Sequence, residues 1–444
     1  MKKTTISLQA FFAVLFAAMA AAAQEAPVQK SSPDRLDELQ QRIDALSREI
    51  ERIKLGAVAE PEATTSMHGF GPAASKIYGT PHRKVSVGGY GEMSYRHFSR
   101  RKQNGDEARQ TNQADFVRAV LYVGYKFTDR ILFNSELEFE HATTASGSTK
   151  RGEVSVEQAY LDFKLWNPMG IRAGLVLVPA GFVNEIHEPP TFHGVSRPSV
   201  ETSIIPSTWR ENGAGLFGEI GPVSYRSYIL AGLHAVKTSD PGADGFTGSS
   251  GLRGGRTGGS NTFADDKAWS SRIDVKPFPG VLAGGSLYIG QAAQALLPSQ
   301  VPVTLWDVHG SAEYRGLELR ALYTEGRIGN ADAVNLAQQT KTAGFSDFIG
   351  RRLFGGYVQG AFDVLSLAGS PQYLAPFFRY ERYDTQAELP AGFARNNANS
   401  RVEYTAGITY KPIPQVAVKL DHQWMLNQAR TGINRFNLGL GYIF

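Results

Sequence analysis

The sequence predicts an all-β fold: a transmembrane antiparallel β-barrel of about 16 strands, preceded by a short N-terminal coiled-coil helix. Three observations predict it. Segments of alternating polarity recur from residue 83 to the C-terminus. Tight turns, most built on Pro or Gly, alternate regularly with longer polar connections. The chain ends on "RFNLGLGYIF", in which Phe436, Leu438, Leu440, Tyr442 and Phe444 share one parity. Arg435, Asn437, Gly439 and Gly441 share the other, so one face suits lipid and the other water.

The first element sets the compartment. Lys2 and Lys3 precede an apolar run from Phe11 to Ala23, and Ala20-Ala21-Ala22-Ala23 lies just before Gln24. A basic start, a short apolar stretch and a small-residue site predict a signal peptide over 1–23; an uncleaved anchor is the alternative. No later stretch approaches about 18 consecutive apolar residues, which excludes a helical membrane protein. The 47 Gly, 18 Tyr and 25 Phe favour strands and turns, and the absence of Cys excludes disulfides and thiol chemistry. The net charge of +4 falls to +2 without Lys2 and Lys3, too near neutral to argue for nucleic acid.

Within 32–56, Leu36, Leu39, Ile43, Leu46, Ile50 and Ile53 repeat at alternating spacings of 3 and 4. That is a heptad seam, opened by Ser32-Pro33-Asp34 and closed by Gly56. The narrow stripe predicts self-association, with three strands favoured over two by Ile at both seam positions; a helix lying on its own domain is the alternative. Residues 57–82, rich in Pro, Gly, Ala, Ser and Thr, read as a linker.

The barrel is expected over 83–444. Its strands are placed at 85–98, 115–128, 131–141, 153–166, 171–178, 213–220, 223–233 and 267–276. Those that follow are 281–290, 303–314, 317–327, 352–363, 373–383, 402–410, 416–424 and 433–444. Short turns on one side and long loops on the other put both chain ends in the periplasm, an alternation a soluble sandwich or propeller does not need. In "FVRAVLYVGYKF", Val117, Ala119, Leu121, Val123, Tyr125 and Phe127 are expected to face lipid, and Arg118, Tyr122 and Lys126 the lumen. In "ILFNSELEFEH", Glu136, Glu138 and Glu140 share one face, which requires a wet interior. Val154 and Val156 share parity with Asp162, which predicts a bulge or a buried patch in that strand. Trp166, Tyr314, Tyr410, Trp424 and Tyr442 lie near strand ends, where interfacial girdles form.

One connection stands apart. Residues 179–212 hold five prolines with Phe182, Phe192 and Trp209, and predict a packed loop folded into the barrel to narrow it; a surface lid is the alternative. By parity Arg118, Arg172, Arg226, Arg272, Arg320, Arg379, Lys419 and Arg435 point inward. So do Glu136, Glu138, Glu140, Asp162 and Asp307, with Asp274, Glu313, Glu318, Glu381 and Asp421. Arginines on the wall facing Glu185, Glu188 or Glu201 on the loop would set a transverse field, with Arg197 and Arg210 as the loop's own cations. A salt bridge stiffening the wall is an equal reading for any single arginine.

These parts together resemble bacterial trimeric outer-membrane porins. Within them, "GEVSVEQAYLDFKL", "IRAGLVLVPAGFVNE" and "LGLGYIF" resemble the phosphate-selective porin O and P family and its coiled-coil-bearing relatives. The resemblance implies a Gram-negative outer-membrane homotrimer of water-filled channels, anion-preferring, for phosphate-type or organic-acid solutes. It also implies as partners outer-membrane lipid, lipopolysaccharide, the barrel-assembly machinery that reads Tyr442 and Phe444, and small hydrophilic solutes, with no cofactor and no metal. The mixed signs on the inner face depart from a purely basic ladder.

Other classes fit less well. His187-Glu188 with His193 lacks the helix a zinc-protease motif needs, since Pro189 and Pro190 interrupt it, and no nucleophile elbow or phosphate-cradling loop is present, so no enzyme is expected. "GSSGLRGGRTGG" reads as a flexible extracellular loop. A sugar-preferring or non-selective porin, and a structural or adhesive barrel without an open pore, are the alternatives.

Overall fold

The structure, a computed structural model, describes residues 42–44, 47, 66–79, 84–143, 152–166, 168–239 and 242–444. The expected signal peptide and most of the expected heptad seam (Leu36, Leu39, Leu46, Ile50 and Ile53) lie outside the described residues. Of the seam, Ile43 is described: it is helical, and its side chain is exposed. The chain divides into two units, 1–65 and 66–444.

The second unit is a closed antiparallel barrel of sixteen strands. In chain order they are β1 (Val85–Phe98), β2 (Gln113–Lys126), β3 (Ile131–Glu140), β4 (Val154–Trp166), β5 (Met169–Leu177), β6 (Arg210–Ile220) and β7 (Val223–Ala231). A small hairpin, β8 (Val236–Ser239) and β9 (Gly242–Gly245), stands outside the barrel sheet. The barrel resumes with β10 (Lys267–Phe278), β11 (Val281–Gln291), β12 (Pro302–Tyr314), β13 (Leu317–Ile328) and β14 (Arg352–Phe362). It finishes with β15 (Tyr373–Glu388), β16 (Ser400–Ile413), β17 (Val416–Asn427) and β18 (Arg435–Ile443). Each of the sixteen expected segments is a strand of this barrel.

Closure rests on the C-terminal strand. Gly91 pairs with Tyr442, Tyr95 with Leu438 and Phe98 with Arg435, and the backbone N–H and C=O of Gly89 both bond to Phe444. No ladder edge is left open in the barrel, as a wall in lipid requires. Its faces divide by parity. Val87, Phe139, Ile273, Val308, Leu319 and Val358 are exposed on the outside, whereas Asn134, Asp162, Arg172, Arg379 and Asp421 are buried within. Phe127, Trp166, Phe278 and Tyr314 are more than half exposed at the short-turn end, where an aromatic girdle belongs.

Two bulges change which side chains face inward. Between β3 and β4 the register steps from Glu136–Gln158 to Leu137–Val156, so Glu157 is the extra residue. This bulge is the one expected from the parity conflict: Val154 and Val156 face out while Asp162 is buried. Between β1 and β2 the register steps from Glu92–Arg118 to Ser94–Asp115. The expected lipid-facing position of Val117 is therefore corrected: Val117 is buried and Phe116 is exposed instead.

The interior holds more than the sequence predicted. Residues 66–79, read as part of the linker, seat against the inner wall near the short-turn end. Phe70 and Ile77 are fully buried, and Tyr78 donates to Asp162 at 2.7 Å. Gly71 and Gly124 make the fit possible, because a Cβ on Gly71 would lie 2.5 Å from the Glu188 carboxyl carbon and one on Gly124 would lie 2.7 Å from Ile77. At the long-loop end the helix Ala331–Lys341, also not anticipated, buries Val334 and Gln338 beside β8.

Candidate functional site

The loop after β5 runs inside the barrel. Gly181 N–H donates to Asp307 on β12 at 3.0 Å, and Val195 N–H donates to Asp421 on β17 at 2.6 Å. Lys419 donates to the Gly194 carbonyl at 2.9 Å, Val200 N–H donates to Glu381 at 3.1 Å, and Tyr357 donates to Glu201 at 2.7 Å. These partners sit on β12, β14, β15 and β17, across the barrel from the β5–β6 pair that the loop joins. Buried backbone must find partners, and the inward charges of the wall supply them.

The loop's acids are thereby used up. Glu185 pairs with Arg226 at 2.9 Å and with Arg272 at 3.4 Å, and Glu201 takes the Val183 N–H as well as Tyr357. Glu188 accepts from the N–H groups of Ala73 and Ala74 at 3.0 Å each, fastening the 66–79 segment. Burial pushes the Glu188 carboxyl up to about 7 against the pull of these two donors, and it raises Glu201 as well. Of the three loop acids expected to face wall arginines, Glu185 does so, while Glu188 and Glu201 are buried against the 66–79 segment and Tyr357. Arg210 stands at the start of β6 rather than in the loop, bonded to Glu157.

Most of the expected inward cations are wall ion pairs. Arg172 grips Asp162 with Nε at 2.8 Å and Nη2 at 2.9 Å, and its guanidinium lies 4.3–4.6 Å from the rings of Phe70, Tyr160 and Phe217. Arg226 and Arg272 share Asp274, and Arg379 pairs with Glu381 at 2.8 Å. Lys419 lies 3.7 Å from the Phe192 ring, and Arg320 stacks on Phe182. Of the expected acids, Glu136, Glu138, Asp162 and Asp307 are buried and Glu140 is half-buried.

What remains is a cavity of about 470 Å³ between the inward loop and the wall of β1–β3 and β18. Arg96, Arg118, Arg197, Arg253 and Arg435 line it, with Glu92 and Glu140, and with hydroxyls from Ser196, Ser199, Thr202, Ser203, Ser207, Thr208, Ser249 and Ser250. Arg118 is balanced by Glu138 at 2.7 Å and Glu92 at 3.5 Å. Among the described residues, Arg96, Arg197, Arg253 and Arg435 have no carboxylate within 4.0 Å; Arg253 instead donates to Ser207 at 2.9 Å and Arg435 to Ser196 at 3.3 Å. Burial and the neighbouring Arg197 hold the Arg253 guanidinium below its ordinary value, and Arg256 is lowered to about 9 by burial and Arg253.

Parity thus found Arg118, Arg435 and Glu140, and the loop reading found Arg197. Arg96 was missed although it shares parity with Tyr90 and Glu92. Arg253 was missed for a different reason. The glycine-rich stretch around it packs down onto the inward loop, with Leu252 fully buried, rather than standing free as expected.

A family model described as phosphate-selective porin O and P matches residues 85–184. A protein of Aquifex aeolicus, named only as an uncharacterized protein, is 36% identical over 367 residues, covering 82% of this chain and 81% of the relative. The chain is a porin of the O and P type over 85–184, and over most of its length it belongs to one family with the Aquifex aeolicus protein. Solved structures agree on the fold. The Salmonella typhi OmpF complex with daunomycin aligns with TM-score 0.53 at 12% identity over 81% of this chain and 97% of the other. An anion-selective porin from Comamonas acidovorans aligns with TM-score 0.52 at 12% identity over 81% and 99%. Family match and barrel together make this chain an outer-membrane porin. The cavity brings five arginines together with two glutamates.

Proposed function

We propose that this porin passes small hydrophilic anions of the phosphate or organic-acid type by passive diffusion, and that Arg96, Arg197, Arg253 and Arg435 favour them. The observation that carries this reading is the cluster of four arginines at one cavity without a carboxylate partner. Like charges so close repel one another in the empty channel, and an entering anion relieves that repulsion. Serine and threonine hydroxyls around them can replace part of an oxyanion's hydration shell, as the lining of a narrow pore does. A sugar-preferring path would gain from aromatic rings, and the lining carries none. The inward loop supports a constriction role, since it contributes Arg197 and the hydroxyls from Ser196 to Thr208.

The heptad seam supports assembly as a homotrimer, with the coiled coil on the periplasmic side, and the terminal aromatics support a role in insertion. A planar-bilayer comparison tests the anion reading. Exchanging chloride for a bulky anion is expected to lower single-channel conductance strongly, whereas exchanging potassium for lithium has a small effect. The reverse order defeats the reading. Absence of any conductance from inserted barrels favours the structural alternative, which the packed interior at 66–79 also motivates.

A further inference from the structure

We propose that Glu136, Glu157 and His187 hold a divalent cation of the zinc class that fastens the inward loop to the barrel wall. Their donor atoms lie within 4.8 Å of one another, and all three side chains are at most 2% exposed. The argument begins with the tautomer. His187 Nδ1 is 3.1 Å from the Asn184 carbonyl oxygen, which can only accept, so Nδ1 carries the proton. A neutral ring then presents Nε2 as a lone pair, and it faces Glu136 Oε1, another acceptor, at 3.2 Å. Two acceptors at that separation need a positive centre beside them. Tetrahedral bonds of about 2.0–2.1 Å to a metal place two ligand atoms about 3.3 Å apart. Orientation of a ligating histidine through a carbonyl on its other nitrogen is the usual outer shell of such sites.

Unsatisfied buried atoms supply the independent observation. Oε2 of Glu136 and Oε2 of Glu157 accept no hydrogen bond from a donor among the described residues, and the Glu138 carboxylate stands within hydrogen-bond reach of Glu157. Neither polar atom of the Gln158 side chain has one, although Gln158 is fully buried and stands directly across from Glu136 in the register. Buried polar groups seldom stay unpaired, so these atoms mark a missing partner. The β4 bulge explains the geometry, because it sends Glu157 inward beside Gln158. Of the nearby guanidiniums, Arg118 pairs with Glu138 and Arg210 with the other oxygen of Glu157, and Arg197 is near enough to act on Glu136 and His187 but makes no hydrogen bond to either. One imidazole with carboxylate oxygens suits first-row divalent ions better than Ca²⁺ or Mg²⁺.

The test uses the full chain, extracted in detergent, stripped with a chelator and titrated with ZnCl₂ by calorimetry at pH 7. Expected results are one Zn²⁺ per chain, a higher heat-denaturation temperature with Zn²⁺ than without, and no comparable response to MgCl₂. Glu157→Gln, nearly isosteric, is expected to weaken Zn²⁺ binding at least tenfold, and His187→Gln likewise. The proposal is overturned if wild-type protein takes up no stoichiometric Zn²⁺, the result expected when a shared proton occupies the site. It is equally overturned if Glu157→Gln binds as tightly as wild type. The wild-type stoichiometry decides the matter even where a variant fails to fold.

Discussion

Replacing Arg197 by Gln removes one unpaired guanidinium from the cavity wall while keeping a side chain of similar length. The size of the effect follows from the cavity itself. A sphere of 470 Å³ has a radius of about 4.8 Å, so a wall charge acts on a solute at its centre from about 5 Å. In water that is about 0.8 kcal/mol, and screening at 0.1 M salt reduces it to about 0.5 kcal/mol. An anion loses this amount and a cation gains it, so the anion-to-cation permeability ratio falls by about 1 kcal/mol, or roughly 5-fold. The assay is the zero-current potential across a planar bilayer under a KCl gradient, compared between wild type and Arg197→Gln. The same comparison near 1 M salt, where the screening length is about 3 Å, is expected to give less than a 2-fold change. An unchanged ratio at 0.1 M, or a change that does not shrink with salt, refutes the idea that Arg197 acts on permeating ions by its field.

Three further predictions follow from named contacts. Arg172→Ala leaves Asp162 buried without its cation and is expected to cost about 3–5 kcal/mol, read as a lower unfolding midpoint in denaturant; Arg172→Lys rescues it only in part, because the planar stacking between Phe70, Tyr160 and Phe217 is lost. Deleting Phe444 removes a residue bonded to Gly89 at the closing seam and is expected to reduce the amount of barrel in the outer membrane more than the conductance of the barrels that insert. Ile43→Asp with Leu46→Asp places charge in the heptad seam, and the heat-resistant oligomer band on a denaturing gel is expected to weaken while the monomeric barrel remains folded.

The wall of this barrel was legible because its physics repeats at every second residue: lipid outside and water or ion pairs inside impose a period of two on each strand. The same logic failed at Val117, where a bulge shifts parity by one residue and no turn signal marks it. Residues 66–79 were unreadable for another reason. Phe70, Ile77 and Tyr78 carry no periodicity, and their neighbours Gly69, Gly71 and Pro72 read as linker chemistry. Only the pocket formed by Arg172, Tyr160 and Glu188, distant in sequence, explains their burial. Within the site, sequence could tell which arginines point inward but not which find a carboxylate. Arg172 and Arg379 are paired along their own wall, Arg226 by both Asp274 and the loop's Glu185, while Arg435 at the same parity has none.

The central claim is that unpaired arginines make this path favour anions. Reconstituted wild-type protein under a tenfold KCl gradient at low ionic strength tests it most directly. The account predicts a zero-current potential displaced toward the chloride equilibrium potential. A displacement toward the potassium equilibrium potential contradicts it.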